Sequence, residues 1–175
     1  DCAGHGTHVA GTAAGYGVLS DGTTYHGPYT SAAMASHPFK VAPGAAPMAS
    51  LLAYRIFGCD GSVGDDIIVA AIDKAVADGA TVINMSLGAP YGRADDPSAL
   101  ASDAAMLAGT MVVNAAGNEG PAPYMVGGPA TSTRALAVSA VDAVPSFPGA
   151  TIDPTGAKIT AIDANGSTAL PVTAP

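Results

Sequence analysis

Apolar positions along the chain follow two different periods, one typical of helices and the other of buried strands. Residues 65–78 place isoleucine, alanine and valine three and four positions apart, with Asp65 and Asp66 in the first turn and Gly79 after the last. This spacing, with acid at the start and glycine at the end, predicts an amphipathic helix. The same reasoning predicts helices at residues 4–15 and 97–109, and short apolar runs predict strands at residues 50–57, 81–86, 110–115 and 136–140.

The order of these segments predicts an α/β fold. Strands and helices alternate with short connections, which implies parallel pairing through right-handed crossovers, as in a doubly wound sheet. The run at residues 50–57 carries few charges, so we expect a strand that is buried on both faces. In such sheets, binding sites gather at the carboxyl ends of the strands, where residues 86–88 and 117–118 fall.

Two segments depart from this pattern. Residues 16–48 are rich in glycine, proline, serine, tyrosine and histidine, which predicts a long surface excursion. Towards the end of the chain, prolines and glycines separate short apolar stretches, and alternation at residues 158–162 before Asn165-Gly166 predicts a β-hairpin. We therefore predict two domains, an α/β domain at residues 1–143 and the start of a β-rich unit at residues 144–175.

Composition narrows the function classes. The 175 residues are enough for one buried core, and 49% are hydrophobic while only 11% are charged, which excludes an intrinsically disordered chain. Six lysines and arginines against 14 acidic residues give a net charge of −8, a balance that disfavours phosphate backbones and anionic membranes. No apolar run reaches the length of a membrane-spanning helix. We expect neither a nucleic-acid partner nor a membrane-spanning segment.

Three motifs carry the candidate chemistry. In residues 1–12, two glycines flank His5 and leave its imidazole open at the start of a helix that we expect to be buried, as a proton-shuttling base requires. Residues 82–88 have the sequence Val-Ile-Asn-Met-Ser-Leu-Gly, and residues 114–121 have the sequence Asn-Ala-Ala-Gly-Asn-Glu-Gly-Pro. In this order, the three motifs resemble those of the subtilisin-like serine peptidases, the subtilases (peptidase family S8).

The resemblance implies a subtilisin-like fold with three αβα layers, incomplete in this chain, and a serine endopeptidase that cleaves polypeptides through an acyl-enzyme without a cofactor. His5 is then the general base and Asn118 the oxyanion-hole donor. An extended substrate pairs with one strand and inserts a side chain into a pocket. The substrate-binding residues that the resemblance implies are Ser86, Leu87 and Gly88 along the strand, Ala115, Ala116 and Gly117 in the pocket wall, and Gly127 in the pocket floor.

Two parts of the family's machinery have no match in the sequence. The Gly-Thr-Ser-Met-Ala motif of the nucleophile is absent, and we interpret residues 29–35, Tyr-Thr-Ser-Ala-Ala-Met-Ala, as a loop with a chance likeness. Asp1 is too close to His5 to be the family's aspartate, so we interpret it as a turn or helix-start residue. We therefore expect an internal piece of a longer peptidase, inactive by itself, with residues 145–175 leading into a protease-associated (PA) domain. The alternatives are a peptide-binding pseudopeptidase and a non-functional fragment.

The remaining candidate ligands are histidines and cysteines. A metal held by His5, His8 and Asp1 is an alternative because residues three apart share a helix face, but the glutamate of a His-Glu-x-x-His site is missing. We expect no metal, and we expect His8 to be a hydrogen-bonded structural residue.

Taken by themselves, Cys2 and Cys59 are as compatible with two buried thiols as with a disulfide. On the subtilase pattern their positions approach one another, which implies a disulfide and a secreted protein.

Overall fold

The computed structural model describes residues 2–59, 61–120 and 122–140, together with the backbone of two short strands beyond them. The chain divides into two compact units, Asp1–Ser139 and Ala140–Pro175. The helices are α1 (His5–Ala14), α2 (Ser31–Ser36), α3 (Asp65–Ala77) and α4 (Pro97–Leu107). The strands are β1 (Val18–Leu19), β2 (Phe39–Val41), β3 (Val82–Met85), β4 (Met111–Ala115), β5 (Leu136–Val138), β6 (Thr151–Ile152) and β7 (Ile159–Thr160). None of the helices within the described residues is both long and apolar enough to cross a membrane.

Three parallel strands form the central sheet, in the order β3-β4-β5. Val82 lies opposite Met111 in the first pair, and Val113 lies opposite Leu136 in the second. Helix α4 lies between β3 and β4 in sequence, as expected for a parallel crossover. The parallel α/β fold predicted from the sequence is confirmed, with each of the three strands one or two residues shorter than predicted.

Helices α3 and α4 pack together against one face of this sheet. Helix α3 begins with Asp65 and Asp66, which favour a helix N-terminus, and α4 begins with Pro97, whose missing N–H is not needed there. Apolar side chains that alternate onto the opposite face, among them Val82 and Leu136, are more than half exposed. The shared core consists of Ile68, Ile72, Met85, Ala105 and Val112.

Helix α1 is anchored through its last turn. The N–H groups of residues 44–46 donate to the carbonyls of residues 12, 13 and 15, which are acceptors that a helix C-terminus leaves without intrahelical partners. The two segments lie so close that a Cβ at Gly44 would be 2.6 Å from the carbonyl oxygen of Gly11. Only Ala14 of the helix is buried. The expectation of a buried helix is therefore wrong, because the described residues cover its end and leave most of its length exposed.

Residues 50–57 have no regular secondary structure and pair with no strand in the part of the chain that the structure describes. Leu51 and Leu52 are 55% and 54% exposed, so the prediction of a strand buried on both faces is wrong. A strand of that kind needs hydrogen-bonded neighbours, and the described residues supply none for this segment. Tyr54 holds the segment to the end of α3, where its hydroxyl donates to a carboxylate oxygen of Asp78 at 2.6 Å.

The surface excursion at residues 16–48 has a small structure of its own. Strands β1 and β2 pair antiparallel. Tyr25, which is 5% exposed, packs edge-on against the rings of Tyr29 and Phe39. Ring packing of this kind buries a large area with few residues, so it gives the excursion a local core.

Residues 31–35 belong to helix α2, so the interpretation of residues 29–35 as a loop is wrong. The hydroxyl of Thr30 accepts from the N–H of Ala33 at 3.3 Å and caps the helix. A threonine cap before a run of alanines, which favour the helix, is enough to explain the difference.

Strands β6 and β7 pair antiparallel, with Thr151 opposite Thr160 and Ile152 opposite Ile159. The Asn165-Gly166 turn predicted for the hairpin lies outside the described residues. So do the predicted domain boundary at residue 144 and most of the chain that follows it, and the two-domain division stays a prediction.

Asp103 in helix α4 fixes the chain that leads into β5. Its carboxylate oxygens accept from the N–H and the hydroxyl of Thr133 and from the N–H of Arg134, at distances of 2.7 to 3.1 Å. Partial burial acts to raise the pKa of Asp103, but these hydrogen bonds outweigh it and leave the pKa below its ordinary value. The charged form of Asp103 therefore stabilises the folded chain.

Gly44→Ala is expected to lower the free energy of unfolding by about 2 kcal/mol, because the new Cβ would collide with the backbone of α1. Gly11→Ala is the matched control. Gly11 lies in α1 itself, and no atom of the described residues outside the neighbouring turns of α1 comes within 4 Å of its added Cβ. Since alanine favours the helix, the control should leave the unfolding free energy unchanged or raise it by up to about 1 kcal/mol. Equal effects of the two variants in denaturant unfolding followed by circular dichroism would contradict the close packing.

Asp103→Asn is expected to lower the unfolding free energy by about 1 kcal/mol at neutral pH, at the low end for charged hydrogen bonds because the carboxylate is partly exposed. The folded-state pKa is the lower one, so the stabilisation is complete above the ordinary pKa of about 3.9 and is lost as the pH falls through the folded value. The gap between wild type and variant in urea unfolding should therefore narrow below about pH 4. Asp73→Asn, at an exposed position of α3, serves as the control. A gap that stays constant down to about pH 2 would refute the role of the charge.

Candidate functional site

A cavity of about 180 Å³ opens at the carboxyl ends of β3 and β4, the edge at which parallel sheets gather their sites. Three separate stretches of the sequence line this cavity. Of the residues predicted for substrate binding and the oxyanion hole, Ser86, Leu87, Gly88, Ala115, Gly117, Asn118 and Gly127 line the cavity, together with Ala89 and Glu119. The structure thus brings most of the predicted pocket together.

The first wall continues from strand β3. The side-chain N–H of Asn84 donates to the hydroxyl of Ser86 at 3.1 Å. Leu87 is half-buried and packs against the core beneath the sheet. Two side-chain contacts therefore hold the chain as it leaves the strand towards Gly88.

The second wall follows strand β4. The N–H of Ala116 donates to the carbonyl of Val138 at 2.9 Å, and its carbonyl accepts from the N–H of Gly127 at 3.1 Å. Ala116 therefore joins the wall to its neighbours, but it is not among the residues that line the cavity. Gly117 has a φ of +107°, a backbone conformation that glycine adopts and other residues avoid. This turn leads the chain to Asn118.

Asn118 presents an unpaired amide beside the cavity. Its backbone N–H donates to Oε2 of Glu119 at 2.8 Å, whereas its side-chain amide makes no hydrogen bond within the described residues. A Cβ at Gly117 would lie 2.6 Å from the same carboxylate oxygen, so the turn, the amide and the carboxylate are closely packed. The exposed carboxamide of Asn118 is available to donate to a group that develops negative charge.

The floor of the cavity is built from backbone rather than from side chains. Ala89 and Gly128 exchange two backbone hydrogen bonds of 3.0 Å, and the N–H of Gly92 donates to the carbonyl of Val126 at 3.0 Å. A Cβ at Gly127 would lie 2.5 Å from the carbonyl oxygen of Ala89, and one at Gly92 would overlap the amide nitrogen of Gly128. Side chains are therefore excluded where the two loops cross.

His5 is not part of this cavity. Its side chain is exposed at the first position of α1 and is not among the lining residues. Gly4, at the helix N-cap, has a φ of +74°, so the entry to the helix needs a glycine. The imidazole is open, as expected, but the described contacts do not join it to Asn118, and its role as a base stays a prediction.

His8 is exposed, and its ring makes no hydrogen bond in the part of the chain that the structure describes. The expectation of a hydrogen-bonded structural histidine is wrong, because the helix face on which it lies is uncovered. Within the described ranges, no three side chains of histidine, cysteine, aspartate or glutamate are placed to hold a metal ion. Asp1, the third ligand of the alternative metal site, lies outside those ranges.

A disulfide joins Cys2 to Cys59, with the two Cα atoms 5.3 Å apart. The guanidinium of Arg55 lies beside it, with Nη2 at 3.6 Å and 3.8 Å from the two sulfurs. The bond ties the segment that precedes His5 to the loop that follows residues 50–57. It therefore anchors the entry to helix α1.

Sequence reasoning missed Ala89 as a cavity residue. It follows directly on the predicted Gly88, and its backbone pairs with residue 128. The signal that could have found it is the pair of segments at residues 88–92 and 126–128, each with glycines that let two backbones come close.

Comparisons with known proteins converge on one family. The profile described as "Subtilase family" (Peptidase_S8) matches residues 1–173. The chain is 38% identical over 136 residues to the minor extracellular protease Vpr of Bacillus subtilis (strain 168), an alignment that covers 78% of this chain and 14% of that protein. It is 39% identical over 150 residues to subtilisin of Bacillus sp. (strain TA39), covering 81% of this chain and 30% of that protein. Among solved structures, Sphericase matches with a TM-score of 0.52 at 33% sequence identity, covering 70% of this chain and 38% of that chain.

The chain therefore spans a minor part of these relatives, from 14% of Vpr to 38% of Sphericase. The match to Sphericase identifies the fold as a subtilisin-like α/β fold, which is incomplete in the residues described. A further relative, the CO(2)-response secreted protease of Arabidopsis thaliana, is 34% identical over 146 residues, covering 81% of this chain and 17% of that protein.

Replacing Cys2 and Cys59 with serine is expected to lower the free energy of unfolding by about 4 kcal/mol, the chain-entropy value for a loop that spans 57 positions. The amides of residues 8–11, the first that donate hydrogen bonds within α1, should also exchange faster with deuterium, since the anchor before α1 is lost. The wild-type chain treated with a thiol reductant is the matched control and should show both changes. Unchanged protection of these amides in both samples would contradict the anchoring.

Proposed function

The chain belongs to the subtilase family, and from that premise we propose that the protein carrying it is a secreted serine-type endopeptidase that hydrolyses peptide bonds through an acyl-enzyme. The observation that carries the proposal is the cavity at the carboxyl ends of β3 and β4, which is lined by seven residues that the family motifs imply. Relatives named as extracellular or secreted proteases support the location. The Cys2–Cys59 disulfide also supports it, because such bonds persist in oxidising compartments.

In this proposal, Asn118 donates its side-chain N–H to the oxyanion of the tetrahedral intermediate. Three observations support the role: the amide is exposed, it lies beside the cavity, and it has no partner within the described residues. The turn at Gly117 and the bond from the Asn118 N–H to Glu119 fix the backbone before charge develops. A donor positioned in advance stabilises the transition state more than the ground state, which is what raises kcat.

His5 is the proposed general base. It takes the proton from a serine hydroxyl as the oxygen attacks the scissile carbonyl, and then delivers that proton to the leaving amine. Water is next activated by the same imidazole and releases the acid product from the acyl-enzyme. The open ring at the start of α1 supports this role, as does the disulfide that anchors the preceding segment. We assign the serine, and the aspartate that orients the imidazole, to parts of a longer peptidase outside residues 1–175.

Polypeptide substrates are proposed to bind in an extended form along residues 86–88, through main-chain hydrogen bonds that place little demand on sequence. Ala115 and Gly117 then line the wall of the slot for the residue before the scissile bond, Ala116 joins that wall to its neighbours, and Gly127 forms the floor. Small residues in the wall and a floor made of backbone support a slot for a large apolar side chain. No metal or other cofactor is assigned to the reaction.

The domain assignment belongs to the same proposal. Residues 1–143 are part of a peptidase domain, and residues 144–175 begin a β-rich insertion of the PA type. The antiparallel pairing of β6 with β7 supports the β-rich character of the second part. Since the chain supplies the base and the oxyanion donor without the nucleophile, residues 1–175 alone should be inactive.

Asn118→Ala in the complete gene product that contains this chain is the test. We expect kcat for a chromogenic peptide to fall by about 10²–10³-fold while KM changes little, which is the magnitude measured for the oxyanion donor of subtilisin, a member of the same family. Asp73→Asn, at an exposed position of α3, is the control and should leave kcat unchanged.

Two outcomes would contradict the proposal. If the complete wild-type protein binds peptides but does not hydrolyse them, the protein is a pseudopeptidase. If residues 1–175 alone turn over the substrate, the assignment of the nucleophile to another part of the protein is wrong.

A further inference from the structure

Asn114 is a polar residue in a layer that is otherwise apolar. It lies in strand β4 two positions after Val112, so both side chains point to the face that α3 and α4 cover. Asn114 is 0% exposed, and its neighbour across the β3–β4 pair is the core residue Met85. Asparagine is disfavoured in strands, and an amide is a poor substitute for an apolar side chain in a core. Packing alone therefore does not explain the residue.

Among the described residues, the Asn114 amide makes a single hydrogen bond. Its Nδ2 donates to the carbonyl oxygen of Pro129 at 3.1 Å. A carbonyl can only accept, so this contact fixes which end of the amide faces Pro129. The other end, Oδ1, is buried and has no hydrogen-bond partner among the described residues. A buried amide with one unsatisfied end costs stability, so the bond at its other end is the contact that needs an explanation.

That bond joins the wall of the cavity to its floor. Asn114 directly precedes Ala115 in the wall, and Pro129 follows two residues after Gly127 in the floor. Both Asn114 and Pro129 are almost fully buried, so the tie lies behind the cavity and out of contact with solvent. The main-chain bond from the Gly127 N–H to the Ala116 carbonyl joins the same two segments at 3.1 Å. Asn114 therefore adds a second fixed point between them.

We propose that Asn114 is a positioning residue that sets the width of the cavity, and thereby the size of the substrate side chain that the slot accepts. The inference rests on the proposed function, because it takes the cavity to be the slot for the residue before the scissile bond. Two fixed points, at residues 116 and 114, hold the wall against the floor at one separation. With only one of them, the floor is free to shift against the wall, so a large apolar side chain loses contact along its length.

The experiment compares Asn114→Leu and Asn114→Thr in the complete gene product. Leucine keeps the number and branching of the side-chain non-hydrogen atoms and removes the hydrogen bond. Threonine suits a strand but is too short to reach the Pro129 carbonyl. The measured quantity is the ratio of kcat/KM for two peptides that differ only in having phenylalanine or alanine before the scissile bond. This ratio does not depend on how much of the protein is folded, so a loss of stability alone leaves it unchanged.

We expect both variants to lower the ratio of phenylalanine to alanine by about tenfold, the scale on which small changes of fit in an apolar pocket act. Thr110→Val is the matched control: its hydroxyl is also buried and donates to a backbone carbonyl, that of Ala80, but at the opposite end of β4. It should leave the ratio unchanged. An unchanged ratio in both Asn114 variants, or an equal change in the control, overturns the inference.

Failure of the inference is distinguishable from failure of the proposed function. The dissociation constants of two product-like peptides, ending in phenylalanine or alanine, give the same selectivity by fluorescence anisotropy without any turnover. If the wild-type protein does not hydrolyse peptides but prefers the phenylalanine peptide, and the Asn114 variants lose that preference, the positioning role holds while the catalytic proposal fails. If the wild type hydrolyses peptides and the variants keep its preference, the catalytic proposal holds and the positioning role fails.

Discussion

The cavity depends on one steric constraint, the approach of two loops until their backbones touch. Residues 88–92 and 126–128 exchange main-chain hydrogen bonds, and at Gly92 and Gly127 there is no room for even a methyl group. The loops meet beneath the carboxyl ends of two parallel strands, where the segment carrying Ser86 and the turn carrying Asn118 come together. In the proposed function, a peptide-pairing segment and an oxyanion donor share this cavity because side chains are excluded at Gly92 and Gly127, where the two loops cross.

The sequence was most informative where structure is decided locally. Helix α3 has both its apolar spacing and its boundary residues within the segment itself, and it ends one residue from the predicted position. The order of strands and helices was enough for the parallel sheet, since crossovers between parallel strands have one favoured hand. The cavity residues were found through the family motifs. Periodicity placed Asn118 at a strand end but carried no information about its neighbour across the cavity, Gly127.

The error at residues 50–57 has a physical cause, which is dependence on partners distant in sequence. Residues 50–57 have the composition of a buried strand, yet composition cannot supply the neighbouring strands on which burial depends. The tie from Asn114 to Pro129 joins positions 15 apart with no pattern between them, and the local preference of asparagine argues against a strand. Helix α2 is a different case, because its threonine cap and its alanines are local signals that favour a helix without any distant partner.

The open face of the central sheet also bears on how the protein is made. Val82, Met111, Leu136 and Val138 leave a patch of half-exposed apolar side chains on one face of the three-stranded sheet. On a ribosome, a nascent chain with such a face presents a surface that chaperones bind and that neighbouring nascent chains can stick to. An element of the longer protein that covers this face would bury its apolar side chains and remove the surface from such contacts.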